Sequence, residues 1–383
     1  MEKSKVIKTL VSVIYESTDI TQEINADLLS FSYEDNCSDE CDSVSITLKD
    51  EQGKWAGSWS PDRGAKVRCM LSTNQGYSLE TGVMIINSLS AQGAPRTFDM
   101  QAISVPLENT VRKTAKTRNF ENLDLKTIAN TIATDNKLKL FFDSEENPSY
   151  DRIDQKDETD LKFLERLCKE AGLSLKVNSE QLIMFDQKSY EKKDPIETYA
   201  LGLSPVLRWS FNAQQAERYR ACRVKWRDLK KKGKDAPPPS KAVFRTTAQT
   251  EKIEQKEKVD LSWEYKPQEV KKGKIALKAE YIDYTYTDET VDPSGQVFVL
   301  KKRCTSLAEA QRLAQAKLRE LNQRQTTGSL TLVGNPLLYA GAVVALSGFG
   351  SFDGNFIIEK ATHSVSNSGY VTDIEIRRVN NEY

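Results

Sequence analysis

The 383-residue sequence has a single histidine, no net charge and no long apolar run, and each lack removes a class of function. Lys plus Arg and Asp plus Glu both number 55, and the pI is near 6.7. The chain therefore has no overall field to draw it to nucleic acid or to an anionic membrane, and only a local basic patch could do so. The longest apolar stretch, Ala340 to Leu346, falls far short of the roughly 18 residues of a membrane helix. Lys3, Lys5 and Lys8 precede Leu10 to Tyr15, but Ser12 breaks that run and Glu16 and Asp19 follow it. Neither an export signal nor a membrane span is expected. Any Ser-His-Asp or Cys-His chemistry has to pass through His363. That residue lies among Thr362, Ser364 and Ser366 on a predicted strand, where a structural hydrogen-bonding role is the simpler reading.

Cysteine is sparse as well. Positions 37, 41, 69, 168, 222 and 304 are scattered through a long chain, the pattern of reduced thiols made in a cytosol. Cys37 and Cys41 lie in an acidic, polar stretch and could offer two metal ligands, but no second pair with metal-ligand spacing accompanies them. No catalytic, cofactor-binding or metal-binding residues are expected. Hydrophobic residues make up 38% and charged residues 29%, a polar balance suited to large exposed or tube-lining surfaces.

What is present is a chain long enough for two to four domains, at roughly 100–200 residues each. Three helices stand out by periodicity and capping. The clearest starts at Ser306, which forms a Ser-x-x-Glu box with Glu309, and continues through Leu307, Ala310, Ala314, Leu318 and Leu321. A second runs from about Asp157 to Ala171, with Gly172 as its stop. A third spans about Leu123 to Thr134, with Leu125, Ile128, Ala129 and Ile132 inward. Elsewhere, short β-branched and aromatic runs alternate with turn residues, predicting strands at Val11 to Tyr15, Leu28 to Tyr33, Val44 to Leu48, Lys66 to Leu71, Gly82 to Asn87, Arg96 to Ile103 and Arg220 to Trp226. The segment Leu229 to Ser240, with its lysine run at Lys230 to Lys234 and three consecutive prolines, reads as a solvated loop. The polar run from Thr246 to Lys258 reads as partly disordered.

The most informative feature is a faint repeat between the two ends. Gly64 with the run to Leu71, Gly82 to Ser90, and Thr97 to Ala102 are followed in the same order by Gly341 with the run to Ser347, Gly354 to Thr362, and Val371 to Ile376. Gly341, Gly354 and Asp373 lie 277, 272 and 274 positions after Gly64, Gly82 and Asp99, a drift that loop-length changes explain. One chain then carries two similar β-modules, and a ring of such chains has pseudo-symmetry of twice its true rotational order.

With these pieces in order, the sequence resembles the bacteriophage tail hub family of the late control protein D type, found also in phage-tail-like bacteriocins and injection machines. Three places carry the likeness: the segment Asp157 to Gly172 with the strand Leu173 to Val177; Tyr219 to Asp228; and the succession from Ser306 through Gly328 to Leu332, Gly334-Asn335-Pro336, Ala340-Gly341, Gly348 to Gly354, His363 and Gly369-Tyr370. The resemblance implies a mainly β fold with α+β insertions, in which two similar small tail-tube-like β-barrels flank mixed domains. The expected division is a first barrel over 1–105, an α+β insert over 106–200, strands joining the second barrel over 201–228, a polar loop and α+β insert over 229–325 with a long helix over 306–324, and the second barrel over 326–383. It further implies a homotrimeric baseplate hub that fits a hexameric tail tube to a trimeric central spike encoded separately, alongside other baseplate and tape-measure proteins. Such a chain is made in the bacterial cytoplasm and built into the tail; it is structural, without enzymatic activity or nucleic-acid specificity.

Other features have plainer readings. Gly348, Gly350 and Gly354 precede a strand rather than a helix, which favours turns over a phosphate cradle. Glu145-Glu146 and Asp157-Glu158 matter for glycoside chemistry only if carboxylates converge across a cleft. Trp55 and Trp59 are equally suited to a partner anchor and to a local core. Leu123 to Leu140, with Leu161 to Val177, is similar to part of the LysM peptidoglycan-binding fold, so a cell-wall-binding module is the alternative function, and a tail-associated wall hydrolase a more distant one.

Overall fold

The computed structural model describes residues 8–38, 40–104, 111, 114–214, 218–228 and 280–379. The lysine run at Lys230 to Lys234 and the polar stretch from Thr246 to Lys258 lie outside them. The fold is mainly β, as expected, and most strands join one long sheet that is antiparallel except at one pair. In chain order the N-terminal part supplies β1 (Thr9–Tyr15), β2 (Thr18–Asp19), a short helix α1 (Thr21–Asp27), β3 (Leu28–Asn36), β4 (Ser43–Lys49), β5 (Lys66–Thr73), β6 (Ser78–Gln92) and β7 (Thr97–Ile103). Alternate residues of these strands, among them Val11, Val13, Phe31, Ile46, Leu48, Val67, Leu71 and Met100, point into one core, as the period of two requires.

An insert follows: β8 (Ala115–Asp124), α2 (Leu125–Asp135), β9 (Lys139–Asp143), β10 (Ser149–Thr159), α3 (Asp160–Ala171), β11 (Ser174–Val177), β12 (Gln181–Phe185) and α4 (Gln187–Glu191). β8 pairs with β10, and β9 lies parallel to β12, which carries β11 on its other edge. The apolar stripe Leu125, Ile128, Ala129 and Ile132 on α2 meets Phe163, Leu164 and Leu167 on α3 in a separate core. Asp124 caps α2 by accepting from the Thr127 backbone N–H, and Thr159 caps α3. Asp157 and Glu158, read from the sequence as the start of α3, instead finish β10. Gly172, at φ 74°, ends α3 in the left-handed region as expected.

The C-terminal part returns to the long sheet with β13 (Glu197–Ala200), β14 (Val206–Ala213), β18 (Thr326–Val333), β19 (Val343–Ser347), β20 (Gly354–Ser366) and β21 (Gly369–Arg378). Between β14 and β18 the chain leaves to make a three-stranded sheet of β15 (Tyr219–Asp228), β16 (Glu280–Thr287) and β17 (Gln296–Cys304), covered by α5 (Leu307–Asn322). The segment 201–228 thus divides: β14 joins the second half of the long sheet, whereas β15 does not. Ser306 caps α5 by accepting from the Glu309 N–H at 3.2 Å, but the Glu309 carboxylate reaches one residue further back than the box predicts, to the N–H and hydroxyl of Thr305 at 2.9 Å.

The faint repeat is a repeat of topology. Hydrogen-bonded neighbours run β3-β4-β7-β6-β5-β1 in one half and β14-β18-β21-β20-β19-β13 in the other. A bulge follows Ile86 in β6 and Ile358 in β20, and another separates the first pair from the rest in both β3–β4 and β14–β18. Gly64 and Gly341, at φ 91° and 92°, donate to the carbonyls of Ile86 and Ile358, both at 2.8 Å. The Thr47 hydroxyl donates to Asp99 across β4–β7, and the Thr331 hydroxyl to Asp373 across β18–β21. The halves differ at one rim, where β1 runs antiparallel to β5 but β13 runs parallel to β19. Hydrogen bonds close neither half on itself among the described residues; in the first, the outer edge of β3, which could have met β1, is occupied by β20.

Asp160 ties the insert together. It is fully buried at the start of α3 and accepts from Lys116 Nζ at 2.6 Å, Arg118 Nη2 at 2.8 Å, Gln155 Nε2 at 3.0 Å and Asn136 Nδ2 at 3.1 Å. Burial works to raise its pKa, but these four partners together hold it below the ordinary carboxylate range. Asp160→Asn should cost about 3 kcal/mol of stability at neutral pH. The Asp160 contribution is present above the unfolded carboxyl pKa of about 4 and is lost as pH falls below it. The deficit of the variant, read from denaturant midpoints at pH 7 and pH 3, should therefore shrink at the lower pH.

Candidate functional site

The functional geometry lies where the two halves of the long sheet meet. β3 and β20 pair antiparallel from Lys360 opposite Asn36 to Ser366 opposite Ser30, placing His363 opposite Tyr33 with their rings stacked 6.3 Å apart. Phe31, opposite Val365, is 1% exposed. Val365 and Tyr370 from the second half belong to the core of the first, so the halves are joined by side-chain packing as well as by backbone bonds.

Charged groups anchor the insert on this junction. Lys176 of β11 donates to Asp35 at 2.8 Å and lies 2.9 Å from Asp42, while the other Asp35 oxygen accepts from the Ala340 backbone N–H at 2.9 Å. Three segments far apart in sequence thereby share one carboxylate. Burial acts to lower the Lys176 pKa, but Asp35 and Asp42 outweigh it and raise it above the usual lysine value. On the other side, Glu191 of α4 accepts at a single oxygen from Arg319 of α5 at 2.8 Å and from Arg377 of β21 at 2.5 Å. Arg377 is 1% exposed and also lies 3.1 Å from Glu359. The site is a set of joints, and its chemistry is positional.

The residues singled out from the sequence fall around these joints. His363 is fully buried, with Nε2 donating to the Leu338 carbonyl at 2.9 Å and Nδ1 accepting from the Tyr370 hydroxyl at 2.7 Å. Cys37 is buried, with its thiol pushed up to about 11 chiefly by burial, and among the described residues no group of three or more His, Cys, Asp or Glu is placed to hold a metal. Glu158 is committed to Arg166 at 2.5 Å. Trp55 and Trp59 divide their roles: Trp55 is buried in the first core with its indole N–H on Asp27 at 2.8 Å, whereas Trp59 is half exposed, edge-on to it, with Lys54 over both rings. Gly348, Gly350 and Gly354 all have positive φ and shape the turn before β20.

Sequence reading expected strands over 201–228 but did not bound β14 (Val206–Ala213) or place it at an open end of the sheet. β14 pairs only with β18, and its outer edge meets no other strand among the described residues. Leu207 and Trp209 on it are 55% and 50% exposed. The signal was available, since Ser45-Ile46-Thr47-Leu48 of β4 is echoed by Ser329-Leu330-Thr331-Leu332 of β18, and β4 pairs with β3 as β18 does with β14.

His363 has a measurable signature. Burial lowers its pKa from about 6.5 to about 4, against a smaller opposing effect of the Leu338 carbonyl. The unfolded chain takes up a proton near pH 6.5 that the folded chain refuses until about pH 4, so stability falls as pH drops through that window, by about 3 kcal/mol in full. His363→Gln, which can still donate to Leu338, should flatten that part of the pH profile when denaturation midpoints are compared at pH 7, 5.5 and 4.

Comparison with known proteins gives this geometry its context. A "Probable baseplate hub protein" of Escherichia phage 186 is 26% identical over 366 residues, covering 94% of this chain and 90% of its own. The 43 kDa tail protein of prophage MuSo2 from Shewanella oneidensis superposes with a TM-score of 0.65 at 12% identity, over 97% of this chain and 98% of its own. A type VI secretion component from E. coli, described as structurally similar to T4 bacteriophage tail proteins, gives a TM-score of 0.52 at 12% identity, over 93% and 75% of the two chains. The model of the phage tail baseplate hub (GPD) family matches residues 85–369, three quarters of the sequence, and the chain belongs to that family.

Proposed function

We propose that this baseplate hub acts as a homotrimer whose six half-sheets form a ring of near six-fold symmetry, fitting a hexameric tail tube on one face to a three-fold central spike on the other. The observation that carries this reading is the repeat of strand order, bulges and Thr–Asp bonds within one chain. Three copies of a chain with two equivalent modules present six similar docking surfaces, while the insert and the α5 sheet, present once per chain, retain three-fold order. A symmetry mismatch is thereby absorbed inside the subunit. Function follows from interface geometry without an enzymatic step: the hub is made in the bacterial cytoplasm, meets the tube, the spike and other baseplate and tape-measure proteins, and enters the tail.

The mass in solution tests this directly. Light scattering on the purified chain, alone and with its spike partner, should give about 130 kDa for the hub, three times 43.3 kDa. A hub that stays monomeric in both conditions would overturn the ring.

One observation favours a second role for the insert. α2 and β9 flank an open groove of about 550 Å³ lined by Lys126, Thr127, Asn130 and Leu140 to Phe142, with Phe141 half exposed. An aromatic face beside polar donors is suited to sugar rings, and the groove lies in the segment that is similar to LysM. Purified peptidoglycan should retain the chain and release it on Phe141→Ala; absence of retention would leave the insert as scaffold alone.

A further inference from the structure

The repeat makes a prediction about two of the sheet edges that meet no strand among the described residues. Within the chain, the final part of β20 has β21 on one side and β3 on the other. Its counterpart in the first half, the final part of β6, has β7 on one side, Ser88 to Gln92 opposite Thr97 to Gln101, and no strand on the other among the described residues. The counterpart of β3 is β14, whose outer edge likewise meets no strand among the described residues. Each half thus carries one edge of a joint that the chain makes once within itself.

The exposure of equivalent residues shows what is missing. Positions in β14 lie 178 after their counterparts in β3, matching the bulges and the pairing with β18 and β4. Trp209 therefore corresponds to Phe31 and Phe211 to Tyr33. Phe31, covered by β20, is 1% exposed, while Trp209 is 50% exposed. An edge strand carrying large apolar side chains invites pairing with another chain, and proteins that avoid this place Lys, Pro or inward charge there. β14 has a single charge, Arg208, and Ser88 to Gln92 has none; neither stretch contains proline.

We infer that β14 of one copy adds antiparallel to the outer edge of β6 in a second copy of this chain, reproducing between subunits the β3–β20 joint found within each. The inference rests on the ring reading above and specifies the contact that closes the ring. Transferring the β3–β20 register by the same offsets, with β6 positions 272 before their β20 counterparts, sets Leu89 opposite Ala213, Ser90 opposite Asn212, Ala91 opposite Phe211 and Gln92 opposite Ser210. The contact is heterologous, each copy offering β6 to one neighbour and β14 to the other, which is the arrangement that makes closed rings. Main-chain bonds supply the pairing, as in β-strand addition generally, and covering Trp209 completes an aromatic cluster that it begins with Phe211 and Phe349.

Disulfide trapping in the full chain tests the register. Ser90 and Asn212 are both exposed, so cysteines there should leave folding intact, and directly opposed positions lie close enough for a bond whereas positions two residues out of register do not. Under mild oxidation Ser90→Cys/Asn212→Cys should yield covalent trimers on a non-reducing gel, while Ser90→Cys/Ser210→Cys and the unaltered chain should yield none. Trimeric mass without the Ser90–Asn212 bond, or equal bonding in both variants, would overturn this strand pairing and leave the ring reading in place. A chain that remains monomeric by mass and unbonded would overturn both.

Discussion

Strand pairing at the β3–β20 joint is the constraint on which the rest depends. A β-strand edge exposes a row of N–H and C=O groups that must be bonded or shielded. Here the first half of the long sheet satisfies β3 with a strand from the far end of the chain. That choice keeps the half-sheet from closing on itself, fuses two cores through Val365 and Tyr370, and sets the angle between the two modules. It also leaves the outer edge of β14 and the end of β6 without a partner strand among the described residues. In the proposed ring, the unmet hydrogen-bonding capacity that is an aggregation hazard in an isolated molecule becomes the means of assembly.

Buried charge fixes where everything else sits. Asp35 joins β11, β3 and the turn before β19 through Lys176 and Ala340, and Glu191 joins α4, α5 and β21 through two arginines. Such groups add little net stability, because desolvation offsets most of their attraction. They do penalise misplacement strongly, since shifting one element strands a charge in the interior. For a protein whose task is to present surfaces at set positions, this penalty matters more than the energy of the contacts. The buried neutral histidine has the same character: both ring nitrogens are bonded, one to the Leu338 carbonyl and one to the Tyr370 hydroxyl, within a joint rather than a cleft.

How much was legible differs by element, for physical reasons. The helices were legible because their caps and stripes are local: Asp124, Thr159 and Ser306 each accept from a backbone N–H three residues on. The short helices α1 and α4 were missed, having too few turns to show a period. The repeat was visible at Gly64 and Gly341 and at Gly82 and Gly354 because all four have a positive φ that favours glycine, while the shared Ser-x-Thr-Leu strands passed unnoticed because β-branched alternation is generic. β15 was foreseen as a strand but assigned to the wrong sheet, since a strand's sequence specifies which face is buried and not which neighbour it bonds.

By itself, then, the sequence determined what depends on residues near one another: the β-rich composition, the capped helices, the turn glycines, the two-fold repetition of a β-module and the absence of a membrane-length apolar run. Tertiary structure alone decided which edges meet and which stay open, why Trp209 is exposed where Phe31 is buried, and which carboxylates serve as joints. Those outcomes follow from pairings between positions hundreds of residues apart, whose hydrogen bonds are made by backbone atoms common to every residue and therefore leave almost no mark in the side-chain sequence.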